Sequence, residues 1–64
     1  MTKKQLYEIT CQREAYALAA ERVKDTNTAA FLIWRNKIAA VNVIMSILGY
    51  LWIESEQKYI KAGD

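Results

Sequence analysis

Ile38-Ala39-Ala40-Val41-Asn42-Val43-Ile44-Met45-Ser46-Ile47-Leu48-Gly49-Tyr50-Leu51-Trp52-Ile53 contains no charged residue, in a chain of 64 residues of which 25% are charged. A helix wound from these residues is apolar nearly all round and must be covered on most sides, by lipid or by protein. The run of 16 residues is slightly short of the ~17–25 that span a bilayer, so length alone does not decide between the two.

The flanks favour lipid. Trp34, Arg35 and Lys37 precede the run, Tyr50 and Trp52 close it, and Glu54 and Glu56 follow. Eighteen helical residues at ~1.5 Å each would set the two indoles about 27 Å apart, the thickness of a hydrocarbon core bordered by aromatic anchors. Trp34, Arg35, Lys37, Tyr50 and Trp52 are therefore the expected membrane-interface anchors. Before Ile38 there are seven basic and four acidic residues, whereas only Lys58 and Lys61 are basic beyond Ile53. The positive-inside rule then predicts a membrane protein with a cytoplasmic N-terminus.

Upstream, Leu6, Ile9, Tyr16, Ala17, Ala20 and Val23 fall on one face at 3.6 residues per turn, with Arg13 at its edge and Cys11 and Leu18 on the far side. This predicts an amphipathic helix over about 3–25. Asp25-Thr26-Asn27-Thr28 gathers short polar side chains that favour caps and turns, so the chain should bend over 25–28. Asn27 or Thr28 would then cap a helix starting at Ala29. One continuous helix through this point is the alternative. The expected fold is all-α, a single unit over 1–64 with helices at about 3–25 and 28–61, the second embedded in a membrane around its charge-free core 38–53. The competing fold is a soluble helical hairpin forming a dimeric bundle, with the tryptophans as core anchors.

Within the second helix Ala39, Asn42, Ser46 and Gly49 line up at spacings of three, four and three. In lipid such a line lets helix backbones approach and an asparagine bond across the contact, which marks these four as the expected helix-packing interface. In a soluble bundle the same line is a register-setting seam or a solvent edge, extended by Arg35 and Glu56.

Other chemistry is not encoded in any recognisable pattern. With no histidine and one cysteine, Cys11, neither a zinc set nor an internal disulfide can form. Glu54 and Glu56, two residues apart, do not face each other on a helix. Serine and asparagine without a base make no nucleophilic site. The net charge of +2 is spread along the chain, so no basic stripe tracks phosphates. No catalytic residue, cofactor, metal, nucleic acid or small-molecule substrate is expected, and no cleavable secretory signal, since the first apolar run starts far from Met1.

The run Arg13-Glu14-Ala15 to Arg22 leading into an apolar helix resembles the entry to the SLATT two-helix membrane modules of bacterial conflict systems, over residues 6 to 53. That family's second membrane helix has no counterpart in these residues, and no family assignment follows. The expected function is that of a small non-enzymatic accessory or regulatory membrane protein, acting by helix–helix binding to a partner membrane protein or to itself. The alternative is a cytoplasmic helical hairpin that dimerises and binds or inhibits a target protein.

Overall fold

The computed structural model describes residues 1–62. Helix α1 runs over Lys3–Val23 and α2 over Thr28–Ile47, followed by strands β1, Tyr50–Ile53, and β2, Lys58–Lys61. The two-helix reading holds, and the chain is mostly a helical hairpin. The helices pack antiparallel, since Tyr16 meets Trp34 at 5.8 Å between ring centroids while the earlier residue Arg13 meets the later residue Asn42.

Each helix end has a local cause. Thr2 caps α1 in a reciprocal box: its hydroxyl accepts from the Gln5 amide at 3.1 Å, and Gln5 Oε1 accepts from the Thr2 amide at 2.9 Å. The helix ends where the amides of Thr26 and Asn27 both turn back to the Val23 carbonyl. Asn27 then caps α2, its Oδ1 accepting from Ala30 N at 3.0 Å. The expected bend is present and the continuous helix is not.

The C-terminal part differs from expectation. Helix α2 ends at Ile47 rather than continuing to 61, and residues 50–61 form an antiparallel hairpin that pairs Leu51 with Ile60 and Trp52 with Tyr59. Gly49 is the reason for the stop. It adopts φ +92, and its amide bonds to the Ser46 carbonyl at 3.0 Å, closing the helix with a left-handed residue. Beyond it, Tyr50, Trp52, Ile53, Tyr59 and Ile60 are aromatic or β-branched residues that suit a pleated, half-buried strand. Glu54-Ser55-Glu56-Gln57 supplies the polar turn between them, with Gln57 at φ +52.

The interior is small. Ala20, Ile38, Met45 and Tyr59 are the buried residues, with Met45 at 1% exposure. The predicted face of α1 is the one turned inward: Leu6, Ile9, Tyr16, Ala17 and Val23 are half-buried around Ala20, while Cys11 and Leu18 are exposed. On α2 the inward positions are Phe31, Trp34, Ile38, Val41, Asn42 and Met45. An isolated two-stranded hairpin is marginal in water, and here it is held by laying Trp52 and Tyr59 against the helices.

Candidate interaction face

Of the 18-residue stretch that makes α2 apolar enough to cross a membrane, 11% is buried. Helix α1 covers one side of α2 and the hairpin a second, leaving the outer side bare. Leu32, Ile33, Val43, Ile44 and Ile47 are between 54% and 79% exposed, Ile47 the most. Ala29, Ile33, Asn36, Ala40, Val43 and Ile47 form a line down this side at spacings of four, three, four, three and four, with Asn36 its one polar member. Between the helices, away from the hairpin, a shallow groove of about 200 Å³ is lined by Ile9, Gln12, Val41, Ile44, Met45 and Leu48. These exposed apolar side chains are contiguous along one side of α2 rather than scattered singly over the surface.

On the opposite flank a polar cluster joins all four elements. Asn42 Oδ1 accepts from the Tyr59 hydroxyl at 2.7 Å and from Arg13 Nε at 3.3 Å, which occupies both its lone pairs. The Arg13 guanidinium lies 3.7 Å from the centroid of the Trp52 ring, and Trp52 meets Tyr59 edge-on at 4.9 Å. Burial pushes the Tyr59 phenol up from its usual range, opposed by the Arg13 charge. Trp52 Nε1 donates to Glu54 Oε2 at 2.8 Å and Gln57 Nε2 donates to Glu54 Oε1 at 3.1 Å. These hydrogen bonds hold the Glu54 carboxyl below the ordinary range, helped by the Arg13 and Arg35 charges. The cluster ties the hairpin to the helices. It presents no nucleophile next to a base, and no group of three His, Cys, Asp or Glu among the described residues could hold a metal ion.

The residues expected from sequence are redistributed. Asn42 does pack between elements, but inward, against Arg13 and Tyr59 of its own chain. Ala39 and Ser46 are exposed beside it, and Gly49 lies past the end of α2, so the four do not form one helical stripe. The expected aromatic spacing is also absent. Trp34 faces Tyr16, whereas Trp52 and Tyr50 sit in β1, so the two indoles do not bracket one helix. Arg35 and Lys37 are exposed, with the Lys37 ammonium 5.7 Å from the Trp34 ring. Arg13, expected at the edge of the α1 face, and Tyr59, expected only as a packing residue, complete the cluster. At 100° per residue Arg13 falls inside the arc of Leu6, Ile9, Tyr16, Ala17 and Ala20 rather than at its edge, and an arginine within an apolar helix face was the available signal.

The early end of α2 changes where its charges fall. Arg35-Asn36-Lys37 occupies positions eight to ten of a 20-residue helix, which at ~1.5 Å per residue is about 30 Å long. Were α2 to cross a bilayer by itself, the two cations would lie near its midplane, at a cost of about 5–7 kcal/mol on the insertion scale. The antiparallel packing would also draw Glu14 and Glu21 of α1 into hydrocarbon.

Comparison with protein-family models, with curated proteins and with solved structures returns no match, so the functional reading rests on these residues alone.

Proposed function

We propose that this chain is a small non-enzymatic accessory protein that attaches to a membrane through the outer side of α2, on the cytoplasmic face, and there binds a partner membrane protein or another copy of itself by helix–helix contact. The carrying observation is that α2 is long and apolar enough to cross a membrane while its own fold covers so little of it. Cell fractionation tests the reading. The chain should follow the membranes, and recovery in the soluble fraction as a discrete species would overturn it.

The line from Ala29 to Ile47 favours a second reading. Its spacing is that of a coiled-coil seam, and Asn36 inside it has the register-setting role that a lone polar seam residue plays. A soluble hairpin that pairs through this seam would appear as a dimer in detergent-free sizing, with no membrane-bound pool.

A further inference from the structure

We infer that α2 lies in the plane of an anionic membrane leaflet, with its outer face in the acyl boundary and α1 turned to water. The inference rests on the membrane reading above and names its geometry and lipid class. Three observations carry it. First, Arg35 and Lys37 stand in the middle of α2, where crossing would strand them in hydrocarbon but lying flat keeps them at headgroup level. At 100° per residue Arg35 and Lys37 are 200° apart, so they stand at the two borders of the apolar face, Lys37 beside the Trp34 and Tyr16 rings and Arg35 on the side of Glu54, and from there both long exposed side chains can turn to the headgroups. Second, α1 packs along α2 and carries exposed Glu8, Glu14, Glu21 and Arg22. In the flat orientation these charges face water, and the hairpin need not open. Third, no acidic residue occurs from Thr26 to Ile53, and Arg35 and Lys37 are the only charges in that span. The face is therefore apolar with a basic border, the pattern that binds interfacially to anionic lipid. Ile33, Val43, Ile44 and Ile47 would enter the acyl boundary, about 5–10 Å in, with Asn36, on the same line, the one polar side chain at that level.

The experiment uses the full chain with vesicles of phosphatidylcholine, alone or mixed with phosphatidylglycerol. Flotation should bring the chain up with the mixed vesicles and much less with the zwitterionic ones, and the Arg35→Gln, Lys37→Gln variant should bind the mixed vesicles about tenfold or more weakly, on the order expected for two surface-proximal cations. In a Cys11→Ser background, an environment-sensitive fluorophore is attached at Ile33→Cys or at Ile47→Cys, both exposed positions. Lipid-borne quenchers at graded depths should place the two probes equally deep, and a probe on native Cys11 should stay in water. Unequal depths, approaching the ~21 Å that 14 helical residues span, would overturn the flat orientation while leaving membrane attachment standing. Equal binding to both vesicle types would overturn the lipid class. No binding to either, with a dimer in solution, would overturn the membrane reading itself in favour of a second copy on the same face.

Discussion

The Tyr59 hydroxyl donates to Asn42 Oδ1 at 2.7 Å across 17 residues of sequence, and with Arg13 on the same oxygen it joins both helices to the hairpin through a single acceptor. Because these groups are partly buried, removing the acceptor costs more than removing one donor. Asn42→Leu should lower stability by about 1–3 kcal/mol, leaving Arg13 and Tyr59 without their partner, whereas Tyr59→Phe should cost about 0.5–1.5 kcal/mol. Urea midpoints of the two variants and their double mutant measure this. An Asn42→Leu chain as stable as the parent would mean that the cluster does not hold the hairpin.

The Arg13 guanidinium on Trp52 predicts a second effect. Arg13→Ala should red-shift and broaden Trp52 emission as the hairpin loosens, read in a Trp34→Phe background. The stability lost should be about 1–2 kcal/mol from stacking and hydrogen bonding together. Arg13→Lys should recover only part, because an ammonium cannot lie flat on the ring while donating to Asn42.

Gly49 at φ +92 meets nothing within 4 Å of where a Cβ would lie, so any penalty there is conformational. Gly49→Ala should cost about 1–2 kcal/mol through the left-handed backbone, seen as a lower thermal midpoint. Ser46→Ala, at an exposed position one turn earlier, should stay within ±0.5 kcal/mol or so.

The helical half of the molecule was legible because its signals are periodic and local. Leu6 to Val23 repeat on one face, and Asn27 stands where a cap is needed. The hairpin was not legible for the opposite reason. Tyr50-Leu51-Trp52-Ile53 prolongs an uncharged run, and freedom from charge says only that residues need cover, not which backbone provides it. Gly49 was the available cue, since a glycine after the last helical turn marks a stop as readily as a packing face. Once the helix is cut at Ile47, the aromatic spacing disappears and Arg35-Asn36-Lys37 moves from the border of the apolar segment to its middle. The uncovered face is a tertiary fact, visible only when α1 and the hairpin have taken the other sides of α2.

Two groups set opposite pH limits. The Glu54 carboxyl is held low in the fold, chiefly by its bonds from Trp52 and Gln57. Its contribution is thus present above the usual glutamate value of 4.5 and is lost as pH falls through the lowered one. Tyr59 is raised by burial, so its contribution is present below the usual value of 10.0 and is lost as pH rises through the raised one. Trp52 emission in the Trp34→Phe background should be flat between these limits and change outside both. Glu54→Gln should blunt the acid limb and Tyr59→Phe the alkaline limb. A limb unchanged by its variant would assign that transition elsewhere.

Attachment through the outer side of α2 can be probed at Ile47, which is 79% exposed and can be changed without touching the interior. The measurement is the membrane-bound fraction of Ile47→Asp in cells, beside Leu18→Asp on the outer side of α1, where Leu18 is 57% exposed. Circular dichroism should show both variants folded like the parent. Ile47→Asp should move to the soluble fraction while Leu18→Asp stays with the membranes. Retention of Ile47→Asp on membranes at the parent's level would contradict attachment through this side.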